Sequence, residues 1–547
     1  MQDKNKNDAS GRWRAVCLAI LGLGAQGTAM AQATADAAAE APAPAVQPEA
    51  ERRVDINEYI VRGNTVLDAR SIERAVTPYL GPKRTMKDIE GARDALLAAY
   101  QAKGFQSVYV DLPEQQAVGG VVFLQVSETK VGRVRVVGAQ YNSPVEVREQ
   151  VPALAEGAVP DFNQAQTELT ALNRGANRQV MPLVRQGTLP GTMDVDLKVE
   201  DSSPWRATIG LNNDYSADTK QLRATASLGH DNLWQLGHSA SVSFFGAPQD
   251  LNQTQVWSGS YVAPLRGTNW GVEASGYKSD SNVATTGGTN VLGKGYAVGV
   301  KATYTVPNTG AWWHAFSAGV DFKDNEEVTR LGSSGETVPL KYAPITLGYS
   351  GFGQTERGSF GLNLSLVAGT RSFLGYGSSA QQFDNKRYKA SPSFMVLKGD
   401  TNGTYTFTGN AQLGWRLAAQ ITDSPLVSNE QIAAGGMNSV RGYLSAEATG
   451  DYGVVGSVEM RTPPLTFFTS VVENWRAYLF ADAGQVRLRD PLAEQKSNFS
   501  LASVGVGTTF RLGQKVTGRL DLGYPLKAGP RTERGDPRVN FSVTASY

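Results

Sequence analysis

From Trp205 to the C-terminus the chain is written in a repeating grammar. Segments of about ten residues alternate in polarity at period two and are punctuated by Gly, Asn, Asp and Pro. In Lys515–Tyr524, Val516, Gly518, Leu520, Leu522 and Tyr524 share one face, and Thr517, Arg519 and Asp521 share the other. In Ala502–Arg511, Ala502, Val504, Val506, Thr508 and Phe510 oppose Ser503, Gly505, Gly507, Thr509 and Arg511. The final segment, Phe541 to Tyr547, alternates throughout and stops on an aromatic residue. A soluble β-sandwich alternates too. The abundance of glycine (59 residues), 9% aromatic residues and a strand count without any second-layer signal favour a transmembrane barrel instead. Sixteen candidate strands lie between Trp205 and Tyr547, which allots about 21 residues to each strand with its connection. A tilted spanning strand takes about 9–11 of these. An even number suits antiparallel closure, which satisfies every backbone group in lipid. The fold class expected is therefore an all-β transmembrane barrel of about 16 antiparallel strands over 205–547.

Composition agrees with that reading. No run of 18 uncharged apolar residues exists, so a helical membrane protein is excluded. A mean hydropathy of -0.28 is compatible with a barrel whose every second residue faces a polar lumen. The balance of 52 Lys+Arg against 51 Asp+Glu argues against nucleic acid as a partner.

The N-terminal part divides into three. Arg12 and Arg14, the apolar stretch Ala15–Leu23 and the A-x-A site Ala29-Met30-Ala31 read as a secretory signal over 1–31. Cys17, the single cysteine, lies inside it. Residues 32–53 are rich in Ala, Pro and Glu and read as a linker. Two similar β-α-α-β-β units follow, over 54–128 and 129–201. In the first, helices are expected around Asp68–Thr77 and from Thr85, with Asp88 three residues on as a capping box, and strands at Phe105–Leu112 and Val121–Val126. In the second, a strand at Val131–Val137 precedes a helix after Pro144, another at Asp161–Arg174, and strands Val180–Arg185 and Met193–Val199.

Chemistry-bearing constellations are sparse. His230, His238 and His314 have no metal-ligand spacing, and neither G-x-S-x-G nor a P-loop occurs, so no catalytic residue, metal site or cofactor is expected. Two short motifs carry more. Val440-Arg441-Gly442-Tyr443 sits in a long connection, about Ile421 to Tyr452, of a length that is usually functional. Phe480-Ala481-Asp482-Ala483-Gly484 lies late in the strand Asn474–Gly484. There Trp475, Ala477, Leu479, Ala481 and Ala483 form the lipid face, which turns Arg476, Tyr478, Phe480, Asp482 and Gly484 into the lumen. The preceding strand turns Ser457, Glu459 and Arg461 inward by the same parity. A lumen carboxylate needs a partner. A loop arginine folded into the pore supplies a bidentate one. Glu459, Arg476, Arg519 and Asp521 remain as further lumen partners, and Asp482 has Arg476 or Arg519 as alternatives to Arg441.

With these residues in hand, the chain resembles the TpsB family of two-partner secretion transporters (ShlB/FhaC/HecB-like proteins of the outer-membrane protein 85 superfamily) along nearly all of its mature length. The resemblance identifies the two α+β units as POTRA domains. It also implies that the loop bearing Val440–Tyr443 folds back into the pore and that its Arg441 pairs with Asp482 of F-x-D-x-G. The stretch Leu172–Thr192 is similar to the end of the family's second POTRA unit. Some members carry a long N-terminal plug helix; the Pro-interrupted stretch before the first unit leaves open whether one exists here. The implied function is outer-membrane export, in a Gram-negative bacterium, of an unfolded TpsA-type exoprotein of the haemolysin or adhesin kind. POTRA domains would capture it in the periplasm, outer-membrane lipids would surround the barrel, and barrel assembly machinery would engage the last strand ending at Tyr547. An insertase of the same superfamily is the rival reading; a passive porin and a barrel enzyme fit the POTRA pair and the poor His/Cys inventory less well.

Overall fold

A computed structural model describes residues 53–547 apart from 174–176, 282–283, 287–289, 293, 308–309, 326–327, 332–333, 338 and 467–471. The signal and nearly all of the linker expected from the sequence lie outside the described residues. Among the described residues no helix is long and apolar enough to cross a membrane, and no group of three His, Cys, Asp or Glu is placed to hold a metal.

The first unit builds β1 (Val54–Ile56), β2 (Glu58–Arg62), α1 (Ala69–Val76), β3 (Gly81–Arg84), α2 (Met86–Ala102), β4 (Val108–Asp111) and β5 (Val121–Glu128). Asp68 caps α1 by accepting from Ser71 N at 3.0 Å, and Asp88 accepts from Thr85 N at 2.8 Å and Thr85 Oγ1 at 2.9 Å at the start of α2. Helix α2 buries Ile89, Ala92, Leu96 and Tyr100, the stripe that the 3.6-residue period requires. The strand expected from Phe105 begins only at Val108, because Phe105 N is spent on Tyr100 O in closing the helix. The small pair β1–β3 was not anticipated.

The second unit repeats the plan with β6 (Lys130–Val137), α3 (Pro144–Glu149), α4 (Phe162–Leu172), β7 (Arg178–Gln186) and β8 (Thr192–Asp201). Each unit has the same three-stranded sheet: β2 runs parallel to β5, which pairs antiparallel with β4, and β6 runs parallel to β8, which pairs antiparallel with β7. Leu96, Leu124 and Val126 anchor the first core; Val147, Leu169, Val195 and Leu197 anchor the second.

Sixteen strands then close into one antiparallel barrel. In order they are β9 (Trp205–Asn212), β10 (Arg223–Leu233), β11 (His238–Gly246), β12 (Gln255–Pro264), β13 (Trp270–Ser279), β14 (Gly295–Thr305), β15 (Trp312–Asn325), β16 (Leu340–Tyr342 and Ile345–Thr355), β17 (Gly358–Ala368) and β18 (Met395–Thr406). The ring continues with β19 (Gln412–Thr422), β20 (Tyr452–Arg461), β21 (Val472–Arg487), β22 (Asn498–Leu512), β23 (Val516–Pro525) and β24 (Arg538–Ser546). Both pieces of β16 pair with β15, and the break falls at Pro344, which has no amide to donate. Residues Ser542–Ser546 of β24 pair with Thr208–Asn212 of β9 to close the ring.

Alternation behaves as lipid demands. Val458, Leu479, Val506, Leu520 and Leu522 are exposed on the outer wall, while Glu459, Phe480, Asp482 and Asp521 are buried within. Trp205, Trp270, Tyr304 and Tyr405 sit near the end of the barrel that faces the α+β units, and Phe244, Trp257 and Tyr296 near the other, as interfacial aromatics do. One element was not anticipated in the barrel region. Ser379 and Gln382 form a reciprocal capping box that starts α5 (Ala380–Lys386) in the connection between β17 and β18.

The second unit touches the short barrel turns. Arg266 pairs with Glu146 at 2.6 Å, Ser143 N donates to Gln235 Oε1 at 2.9 Å, and Asn232 Nδ2 donates to Asn142 Oδ1 at 3.1 Å. Burial would raise the Asp201 carboxyl, but donation from Gln140 N, Tyr141 N and both nitrogens of Asn142 outweighs it and holds the carboxyl below its ordinary value. That carboxylate shapes the segment that meets the barrel.

Truncating a core residue should unfold a unit without touching its surface. Leu197→Ala is expected to cost about 2–5 kcal/mol. Urea unfolding of residues 53–201 followed by circular dichroism measures it, since that span contains no tryptophan.

Candidate functional site in the barrel lumen

Barrel register assembles the site before the loop arrives. On adjacent strands β20 and β21, Ser457 stands opposite Asp482 and Glu459 opposite Phe480. Across β21–β22 Asp482 stands opposite Ser503, and Asp521 comes from β23 at the level of Gly507. All point inward by parity, so one patch of wall presents three carboxylates.

The connection between β19 and β20, residues 423–451, folds back into the barrel and brings Arg441 to that patch. Arg441 is entirely buried. Its Nε donates to Asp482 Oδ2 at 2.7 Å and its NH2 to Asp482 Oδ1 at 2.7 Å, a bidentate fork. Its backbone N donates to the same carboxylate at 3.0 Å. NH1 donates to Glu459 Oε1 at 2.7 Å, NH2 to Ser457 Oγ at 2.8 Å, and NH1 lies 3.7 Å from Asp521 Oδ1. The guanidinium carbon sits 3.5 Å from the centre of the Phe480 ring, a desolvated cation–π contact. Only arginine offers this planar set of donors. Arg461 pairs with Glu459 at 2.6 Å and Arg519 with Asp521 at 2.7 Å, so three cations meet three anions. Tyr478 donates to Asp521 as well.

The other motif positions have physical reasons too. Val440 packs with Ala434, Val455, Val486 and Leu501 against the wall. The Tyr443 hydroxyl shares its one proton between Lys527 O at 2.7 Å and Ala502 O at 2.9 Å and accepts from Ala502 N at 3.2 Å. Gly442 has φ +89°, and its backbone lies against Gly523, where a Cβ would stand 2.6 Å from Gly442 N. A Cβ at Gly484 would stand 3.1 Å from Val440 Cγ2. Gly442 and Gly523 allow backbone-to-backbone approach, and Gly484 lets the Val440 side chain lie against its strand.

Of the residues singled out from the sequence, the structure brings together Val440, Arg441, Gly442, Tyr443, Glu459, Phe480, Asp482, Gly484, Arg519 and Asp521. Arg476 is elsewhere. It faces inward but donates to Asn410 O at 2.9 Å and Thr462 O at 2.7 Å. Parity fixes the face of a strand and not the height; six residues along β21 separate it from Asp482, roughly 20 Å of rise. Ser457, Arg461 and Tyr478 belong to the site and were placed inside by parity without being singled out. The rest of the loop is held by contacts that no local pattern marks. Met437 N donates to Asp214 Oδ1 at 3.0 Å, Ser445 N donates to Tyr215 O at 2.9 Å, and Glu447 accepts from Arg531 N at 2.7 Å and Thr532 N at 2.8 Å.

Comparison with known proteins decides the family. The model of the haemolysin secretion/activation protein ShlB/FhaC/HecB family matches residues 191–510, more than half of the chain. The chain belongs to that family. The model of the ShlB-type POTRA domain matches residues 54–129. Among curated proteins the chain is similar to the outer membrane transporter CdiB of Escherichia coli, 22% identical over 86% of this chain and 79% of that protein. It is also similar to the heme/hemopexin transporter protein HuxB of Haemophilus influenzae (strain 86-028NP), 20% identical over 82% of this chain and 79% of that protein. Among solved structures, CdiB from Escherichia coli superposes with a TM-score of 0.62 at 19% identity, covering 92% of this chain and 93% of that one. The protein is thus a TpsB transporter of the outer membrane, with POTRA domains on the periplasmic side. The short turns that touch the second unit are periplasmic, and the long connections 369–394 and 423–451 start from the extracellular end.

The Gly442–Gly523 contact makes a sharp prediction. Gly523→Ala places a methyl group inside the loop backbone, an overpacking of about 1–3 kcal/mol that must push Arg441 off Asp482. Cells carrying it are expected to admit large antibiotics that the parent excludes, while heat-modifiable gel migration reports a folded barrel.

Proposed function

We propose that this transporter exports one unfolded exoprotein, of the haemolysin or adhesin type, through its own lumen, and that the Arg441–Asp482 anchor holds the resting, closed pore. The observation that carries this reading is the buried arginine itself. A guanidinium with no exposure, held by a carboxylate fork, a second carboxylate and a ring face, fixes the loop across the lumen at one defined place. A permanent partition has no need of a charge there, because well-packed apolar residues hold as strongly. Ion pairs suit a contact that must be released, since water entering the lumen solvates both partners.

Capture begins in the periplasm. The edge strands β4 and β7 offer main-chain hydrogen bonds to an extended segment, a recognition mode tolerant of sequence. The exoprotein then threads the lumen unfolded and folds outside, and that folding supplies direction without ATP. POTRA domains over 54–128 and 129–201, a barrel over 205–547 and a removed signal over 1–31 are the working division of the chain. Lipid surrounds the outer wall. The last strand, whose Tyr547 N donates to Ala207 O at 2.9 Å, is the element through which the barrel assembly machinery would engage the nascent barrel. The chain carries out transport and not catalysis.

Arg441→Ala leaves Asp482 and Glu459 buried without their cation, a loss of roughly 3–5 kcal/mol from the anchor; the resting pore is expected to leak, and the undocked loop, left in the path of the chain, to lower export more than about tenfold. Immunoblotting of the medium for the exoprotein, alongside heat-modifiability of the barrel, measures the two effects separately. Undiminished secretion by that variant would overturn the role given to Arg441. Depletion of the parent separates the rival reading: loss of one exoprotein identifies a transporter, and general loss of outer-membrane proteins an insertase.

A further inference from the structure

The pore loop is anchored at a second place. Glu430 lies in the single turn Ser428–Glu430 at the base of the loop and is buried. Its Oε1 takes Lys323 Nζ at 2.6 Å and the Tyr342 hydroxyl at 3.0 Å, and Lys398 Nζ lies 3.6 Å from Oε2. Beside it Asn325 Nδ2 donates to Asn429 Oδ1. Gln420 Nε2 donates to the backbone carbonyls of both Glu430 and Asp451 at 2.8 Å. Asp451, fully buried, in turn takes Leu426 N at 3.0 Å and Arg387 at 2.7 Å. The base is therefore an organised, charge-bearing contact.

Its position in the ring gives it meaning. Lys323 and Asn325 stand on β15, Tyr342 on β16 and Lys398 on β18, whereas the partners of Arg441 stand on β20, β21 and β23. In the ring of sixteen, Lys323 on β15 and Asp482 on β21 are six strands apart, while Lys398 on β18 and Glu459 on β20 are two apart. The loop is held at two separate stretches of wall. Both ends border free space: Ser457, Glu459, Arg461 and Arg519 around Arg441 line a cavity of about 270 Å3. The Glu430 cluster borders a cavity of about 840 Å3 lined by Ser241, Ser258, Ser260 and Ser275 of β11–β13 together with Asp321, Lys323, Lys398 and Glu430. That cavity is lumen left free by the loop.

From this we infer that Glu430 is a positioning residue for transport: it holds the base of the pore loop to the β15–β18 wall, and release at this end, facing the free lumen, is required for a chain to pass. The inference rests on the transport reading above. Two lysines surround one carboxylate, so an acidic side chain of a passing polypeptide can take the place of Glu430 without either lysine losing a partner. Exchange of one carboxylate for another avoids the cost of leaving a buried charge unpaired, which is what makes this end releasable.

The test is a reversible staple in the full-length transporter. Cys17 is the only native cysteine, so Asn325→Cys with Asn429→Cys introduces the sole pair in the barrel. With the staple oxidised, secretion of the exoprotein is expected to fall at least about tenfold and to recover on reduction. A merely structural contact would survive oxidation unharmed, and equal secretion in the oxidised and reduced states overturns the inference. Glu430→Gln gives a second measurement that needs no disulfide. It preserves shape and removes the charge, and channel openings in planar bilayers are expected to become about tenfold more frequent. Openings at the parent frequency overturn the inference as well. Failure of the transport reading looks different: the unaltered protein would secrete nothing when expressed with its exoprotein.

Discussion

Hydrocarbon offers no water to an exposed amide, and every other property of this barrel follows from that constraint. Sixteen strands satisfy their backbones only by closing on themselves, and β24 meets β9 to do so. Closure turns one face of every strand to lipid and the other to a shared interior. Polar side chains that lipid rejects accumulate there, and a cylinder of this size has room for more than its own side chains. A loop can enter, and the charges it meets are supplied by the wall. Asp482, Glu459 and Asp521 are buried because the lumen is the one place on those strands where they are tolerated.

The loop contact combines two kinds of force. Val440, Tyr443 and the glycine backbones give shape: close packing against Val486 and Leu501, and main-chain approach between Gly442 and Gly523. Arg441 gives position, since a guanidinium finds its carboxylate fork only in one orientation. Shape alone would let the loop slide along a ladder of similar alternating residues. Charge alone would leave it wet and mobile. Together they specify one docked state.

Much of this was legible in the sequence because it is local. Period two marks strands, and parity along β20 and β21 puts Glu459 and Asp482 inside from a few residues each. The helices of the periplasmic units announce themselves through caps at Asp68 and Thr85. Height and partnership are another matter. Arg476 shares its face with Asp482 and still bonds to carbonyls at the opposite end of the strand. Glu430 meets Lys323 across about a hundred residues of chain, a pairing that exists only after closure has set the order of walls. Helix α5 escaped because seven residues are too few to show a period, although its Ser379–Gln382 box was there to be read.

The chemistry of the anchors bears on how such a pore can serve repeatedly. A disulfide would hold a loop harder, but the barrel contains no cysteine and each traversal would need a redox partner. Apolar packing would hold as well as ion pairs, but the docked state would then compete with other apolar registers along the wall. Buried ion pairs occupy the useful middle. Each is costly to break halfway, with one charge stranded, and cheap to exchange whole, against water or another carboxylate. In the transport cycle proposed above, a loop held at two places by such pairs stays shut against thermal motion, because leaving one anchor still strands the other. On that proposal it would yield to a ligand that brings its own charges, and an unfolded polypeptide with acidic side chains is a ligand of that kind.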